Sequence, residues 1–204
     1  MDKQRLVQTA QALVADKKGI LAADESGGTI KRRFDSINVE STEDNRRNYR
    51  EMLFRTAGVD KFISGVILFD ETIRQDAADG TSMVKVLSDR GIIPGIKVDK
   101  GTVPLPEAPD ELVTEGLDGL RDRLKEYNDL GAGFTKWRAV ISISDNTPTS
   151  YGLAANAHAL ARFAALSQEA GLVPIVEPEV LRDGDHRSEE RRVGKECRSR
   201  WGPD

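Results

Sequence analysis

Three stretches of the chain carry charged residues two positions apart inside apolar runs. They are Glu177 and Glu179 in "VPIVEPEVL", Lys97 and Asp99 in "GIKVDKG", and Lys136 and Arg138 in "GFTKWRAVI". A fourth run, "GILAAD", ends in Asp24. On a strand, side chains at i and i+2 face the same way, roughly 6–7 Å apart. A charge in such a run is expensive to bury unless it meets an opposite charge or a ligand. One such pair reads as a structural ion pair. Four strands together point to a reaction centre that pools Asp24, Lys97, Asp99, Lys136, Arg138, Glu177 and Glu179. Lysines crowded by other cations in a low dielectric lose protons and act as bases or imine-forming nucleophiles. Glutamates beside them can shuttle protons. Arginine and additional lysines suit an anionic, phosphate-bearing substrate.

The segment after Asp24 extends this reading. Ser26, Gly27, Gly28 and Thr29 form a Gly-rich turn with hydroxyls, a pattern that can cradle phosphate through backbone N–H groups. The same letters also make an ordinary loop with a helix cap. Lys31, Arg32 and Arg33 follow, which favours the phosphate or, alternatively, a solvated helix face.

The elements that must position these residues alternate. Strands are expected over 19–24, 62–69, 92–99, 133–143 and 173–181. Helical patterns lie between them. Residues 2–16 put Leu6, Ala10, Leu13 and Val14 on one face. Ser41 and Asp44 open a second helix in a capping-box-like manner, ending by Gly58. A third carries Leu117, Leu120 and Leu124 and stops at Gly131, and a fourth covers 155–171. Strand-helix alternation argues for an α/β fold with a parallel sheet and helices outside it. A doubly wound sheet and a (β/α)8 barrel both satisfy the pattern. Five strands suit the first better, but the GxGxxG dinucleotide fingerprint is missing after the first strand. In either fold Trp137 faces away from Lys136 and Arg138, toward the helices.

Charge and motifs narrow the function classes. The net charge of −4 is spread along the chain, so no basic nucleic-acid footprint is present. There is neither a signal-peptide core nor a membrane-length apolar run, so no membrane association is expected and a cytoplasmic location is. No CxxC or HExxH spacing occurs, and Cys197 is the only cysteine. His158 reads as a helix residue without catalytic duty.

Residues 187–204 break the pattern. They hold six Lys/Arg and four Asp/Glu, no periodicity, and resemble the conceptual translation of a sequencing adapter through Trp201. The chain is therefore expected to comprise a native part, 1–186, and a non-native adapter-derived tail, 187–204.

"GILAADES", "RRNYREMLF", "GVILFDETI", "GIKVDKGTVPL", "EGLDGLRDRLKEY", "GAGFTKWRAVI" and "GLVPIVEPEVLRDGDH" together resemble the class I fructose-bisphosphate aldolases, in family order and spacing. The resemblance implies a (β/α)8 TIM barrel with about five of its eight strands present here. It implies a homotetrameric lyase of glycolysis and gluconeogenesis acting on a phosphorylated sugar, with no metal or other cofactor. The reaction would be reversible cleavage of fructose 1,6-bisphosphate to dihydroxyacetone phosphate and glyceraldehyde 3-phosphate through a lysine Schiff base.

By the same resemblance, Glu177 matches the general acid/base, Glu179 tunes the lysine cluster, and Asp24 takes the C4-hydroxyl proton. Lys136 matches the lysine beside the imine that orients substrate. Ser26, Thr29, Arg33, Arg46, Lys97 and Arg138 match substrate- and phosphate-binding positions, with Thr29 where many relatives have serine. The family's imine-forming lysine lies on a sixth strand, beyond Glu179, and Lys195 does not match it. The 204 residues by themselves are therefore expected to be inactive and, with two open sheet edges, poorly soluble. A non-catalytic fragment serving as a binding or interaction module is the alternative.

Overall fold

The computed structural model describes residues 2–181. A five-stranded parallel sheet is its centre, with strand order β1-β2-β3-β6-β7. These strands span Gly19–Ala23, Ile63–Leu68, Ile93–Lys97, Phe134–Ile141 and Val173–Val180. Helices α1 (Lys3–Leu13), α2 (Gly27–Asp35), α3 (Glu43–Arg55), α4 (Asp70–Ile73), α5 (Met83–Ser88), α6 (Leu120–Asp129) and α7 (Ser150–Glu169) connect or flank them. An antiparallel hairpin, β4 (Thr102–Leu105) with β5 (Ala108–Thr114), projects from the end of β3.

All five expected strands form, within one or two residues of their expected ends. The hairpin over 102–114 is an element the sequence reading lacks. Three prolines and four acidic residues over 104–115 hide its alternation. Three details of the helices also differ. Val14 is exposed and outside the apolar face of α1, because the helix ends at Leu13. Thr42, not Ser41, caps α3, accepting the Asn45 N–H at 3.1 Å. Helix α7 starts at Ser150, five residues early, because Thr149 accepts the Gly152 N–H at 3.0 Å and sets a new first turn.

The register separates two faces. Gly95 pairs with Phe134, Lys97 with Lys136, and Arg138 with Glu177. Residues in register on parallel strands share a face. On the inner face the lower layer is apolar: Leu13, Ile67 and Phe134 are buried together, with Ile20, Ile93, Val173 and Ile175 around them. Helix α1 closes this end, touching both β2 and β7. The Ser64 hydroxyl donates to the Leu13 carbonyl at 2.6 Å and pins the helix there.

The outer face carries the larger core. Trp137 is fully buried and stacks on Phe163 of α7 with ring centroids 5.5 Å apart, as its strand parity requires. Such a pair adds about 0.5–1.5 kcal/mol beyond the area it buries. Val66, Leu68, Ile96, Leu120, Leu124 and Leu160 complete the layer between sheet and helices. The inner face is thus apolar toward the strand N-termini and charged toward their C-termini.

Candidate active site

The C-terminal ends of the strands bring the predicted charges together. Lys136 lies midway along β6, and its Nζ sits 3.1 Å from Glu177 Oε2 on β7 and 3.3 Å from Asp24 Oδ2 beyond the end of β1. Strands β2 and β3 separate β1 from β6. At roughly 4.8 Å per strand, a flat sheet would hold these strands about 14 Å apart. The Asp24–Lys136 contact therefore requires the sheet to curl, which is barrel geometry and not a doubly wound sheet.

The ammonium is nearly enclosed, with 11% of the Lys136 side chain and 12% of the Asp24 side chain exposed. Burial alone would lower the pKa of Lys136. The Asp24 and Glu177 carboxylates outweigh it and hold the group above the ordinary lysine value. This corrects the expectation of a lysine that loses its proton. Lys97 and Lys136 are in register, but each has a carboxylate partner of its own, and Lys97 Nζ meets Asp99 Oδ1 at 3.1 Å. Lys136 is a fixed cation and not a free amine nucleophile. Glu177 Oε2 is buried and, beyond this ion-pair contact, accepts no aligned hydrogen bond from protein. It keeps acceptor capacity for a bound group.

A second layer lies toward the mouth. Arg138 pairs through Nε with Glu179 Oε2. Glu179 therefore meets a guanidinium directly and not the lysine cluster. The Arg138 backbone is held from two sides: its N–H faces Asp99 Oδ2 at 3.4 Å, and its carbonyl accepts from the Thr114 hydroxyl of the hairpin at 2.6 Å.

Beside this layer opens a cavity of about 600 Å³. Ser26, Lys97 and Arg138 line it, together with Arg74, Lys100 and Arg123. Only Asp70 and Asp99 contribute carboxylates to its wall, so the balance favours an anionic ligand. Arg74, Lys100, Arg123 and Tyr127 are wall residues that the sequence reading missed. Arg74 and Lys100 sit in short connecting segments, and Arg123 and Tyr127 lie on α6, whose period in the sequence marks only its apolar residues.

The Gly-rich turn folds as the start of α2. Ser26 is the residue before the helix, and its hydroxyl lies 3.2 Å from that of Thr29. Ser26 reaches the cavity and Thr29 does not line it. The three cations that follow do not converge on the cavity. Lys31 pairs with Asp35 on the helix surface, and Arg33 pairs with Glu25. Arg46 is likewise engaged by Glu71, and its Nη1 donates to the Ser41 carbonyl at 2.6 Å. Arg33 and Arg46 are thus not among the cavity residues, because each has a carboxylate closer to its own helix. Among the described residues no group of three His, Cys, Asp or Glu side chains is placed to hold a metal ion. No described helix is long and apolar enough to cross a membrane. His186, Cys197, Lys195 and the expected boundary at 186/187 lie outside the described residues.

A parallel half-barrel with a lysine between two carboxylates at the C-terminal mouth defines a TIM-barrel enzyme site. The family model for class-I fructose-bisphosphate aldolase matches residues 5–196, and the chain belongs to that family. A probable fructose-bisphosphate aldolase class 1 of Xanthomonas campestris is 61% identical over 186 residues, covering 91% of this chain and 56% of that protein. The non-muscle type aldolase of Lethenteron camtschaticum is 54% identical over 185 residues, 90% of this chain and 51% of the relative. The fructose-bisphosphate aldolase of Plasmodium falciparum, solved in complex with TRAP and a small-molecule inhibitor, superposes with a TM-score of 0.92 at 51% identity, over 95% of this chain and 56% of that one. The chain thus spans about half the length of the relatives it matches.

Proposed function

We propose that this chain supplies the N-terminal strands of an enzyme that reversibly cleaves fructose 1,6-bisphosphate to dihydroxyacetone phosphate and glyceraldehyde 3-phosphate. The observation that carries the reading is Lys136 held between Asp24 and Glu177. Retro-aldol cleavage needs a base for the C4 hydroxyl, an acid/base for imine formation, and an electron sink. Asp24 is the base and Glu177 the acid/base. Lys136 stays charged and holds both carboxylates, orienting substrate between them. Arg138 and Lys97 carry phosphate charge, with Ser26 at the cavity wall. Thr29, Arg33 and Arg46 contribute at the margin, and Glu179 orients Arg138.

The electron sink is a second lysine, on a strand that follows β7 in the full-length protein. Residues 187–204 are non-native in this reading. The assembled enzyme is a cytoplasmic homotetramer acting in glycolysis and gluconeogenesis.

The test begins by sequencing the gene across the His186–Arg187 junction and expressing its full product. Borohydride reduction with dihydroxyacetone phosphate is expected to trap a lysine adduct outside residues 2–181, with cleavage unaffected by chelators. Trapping at Lys136 or a chelator-sensitive reaction would overturn the assignment of roles.

A further inference from the structure

Arg50 has no role in the reaction as set out above, yet it is the most deeply buried cation of the described residues, with no exposed surface. It sits on α3, and its guanidinium reaches the two loops that follow β1 and β2. Nη2 donates to the Glu25 carbonyl at 2.8 Å. Nη1 faces Glu71 Oε2 at 3.5 Å, and the guanidinium lies over the Phe69 ring, 5.8 Å from its centroid. Glu25 is the residue between Asp24 and Ser26. Phe69 and Ser26 both line the cavity.

Burying an arginine is costly, and burial pushes its pKa down against the attraction of Glu25 and Glu71. A purely structural clip at this position would not require a charge. A carbonyl and a phenyl ring could be held by a neutral side chain of similar size. What a guanidinium adds is a rigid planar fork that fixes two loops in one geometry. Two groups beside it are left open: Arg50 Nε and Glu25 Oε2 are buried without partners. The other Glu25 oxygen is taken by Arg33.

We infer that Arg50 is a positioning residue. By gripping the Glu25 carbonyl and the Glu71–Phe69 turn, it fixes the β1–α2 loop and so sets where Asp24 and Ser26 stand. The inference rests on the proposed function for its consequence, but the positioning itself is a property of the loop. Arg33 and Arg46 then act as the outer layer of the same grip, through Glu25 and Glu71. The two arginines that the family resemblance assigns to substrate thus touch the loop's anchors.

The experiment uses the full-length protein and compares wild type, Arg50→Lys, Arg50→Met, and the core variant Phe163→Leu as a control for general destabilisation. Three quantities are read: amide exchange over residues 24–30, borohydride trapping of dihydroxyacetone phosphate, and kcat and KM for cleavage. A misplacement near 1 Å lowers a rate about 100-fold. Arg50→Met is expected to speed exchange at 24–30 and to lower kcat about 100-fold, with KM within about threefold and imine trapping retained. Arg50→Lys should recover part of kcat, and Phe163→Leu should leave exchange at 24–30 and kcat near wild type. Unchanged exchange at 24–30 in Arg50→Met overturns the inference whatever the activity. So does a loss of kcat that Phe163→Leu reproduces at the same melting temperature. Faster exchange in a protein whose wild type neither cleaves nor traps substrate leaves the positioning role standing and removes the proposed function.

Discussion

Lys136 and Asp24 touch across the concave face, 3.3 Å apart, although two strands lie between their own. That contact makes the site a product of curvature. Removing the ammonium leaves Asp24 and Glu177 without their shared cation. In the full-length protein, Lys136→Met is expected to lower kcat for cleavage roughly 10²–10³-fold, and Lys136→Arg to recover part of it. Imine trapping should survive in both, because Lys136 is not the nucleophile. Steady-state kinetics with parallel borohydride reduction check this, and loss of trapping in Lys136→Arg counts against it.

The same ion pair has a pH signature in stability. The folded-state pKa of Lys136 lies above its unfolded value, since the carboxylates outweigh burial. Its contribution is therefore complete below the ordinary lysine range and is lost as pH rises through the folded value. Denaturant midpoints of wild type and Lys136→Met should differ by a constant amount from pH 7 to 9, with the gap closing only in strong alkali.

Glu71 shows the opposite sign. The Arg46 hydrogen bonds, against a smaller desolvation penalty and helped by Arg50, hold its carboxyl below the ordinary range. Its stabilisation is present above the unfolded pKa and disappears as pH falls through the folded one. Glu71→Gln is expected to cost about 1.5–3 kcal/mol at neutral pH, the range for hydrogen bonds to charged groups. The deficit should shrink toward zero as the solution is acidified past the carboxylate range. A deficit that persists unchanged in acid means packing, not charge, is what the glutamate supplies.

Gly152 is set by Glu111. A Cβ at Gly152 would lie 2.1 Å from Glu111 Oε1; Glu111 is only 8% exposed, and its carboxylate accepts the Thr149 N–H at 2.9 Å. Gly152→Ala is expected to destabilise by about 1–3 kcal/mol despite alanine's better helix propensity. In a Glu111→Ala background the sign should reverse, to a gain of a few tenths up to about 1 kcal/mol. Equilibrium unfolding of the four proteins in the cycle decides it, and simple additivity rules out the clash.

Phe134 imposes a similar limit on the inner face. A Cβ at Gly95 would come within 2.2 Å of its ring, and one at Gly65 within 3.0 Å. Gly95→Ala should cost about 1–3 kcal/mol through overpacking. Phe134→Leu should relieve part of it, measured again by denaturant midpoints.

Much of this molecule is legible in one dimension because strand parity is local. A period of two puts Lys136 and Arg138 on one face and Trp137 on the other whatever the rest of the chain does. The same rule pairs Glu177 with Glu179 and Lys97 with Asp99. Five apolar runs separated by helices define the parallel sheet, and family motifs identify the centre.

Three things depended on the folded chain. Partner choice is one: Arg33 and Arg46 carry the right charge for phosphate, but Glu25 and Glu71 are nearer, and short-range ion pairing wins. The protonation of Lys136 is another, since two carboxylates from distant strands reverse what burial would do. The last is the cavity wall. Arg74 and Lys100 lie in short connecting segments and Arg123 on the polar side of a helix whose period marks only Leu120 and Leu124, and the folded chain brings them beside Lys97 and Arg138. Residue type and spacing determine which way a side chain leaves its strand. What it meets depends on how the strands close around one another, and that is settled by long-range packing.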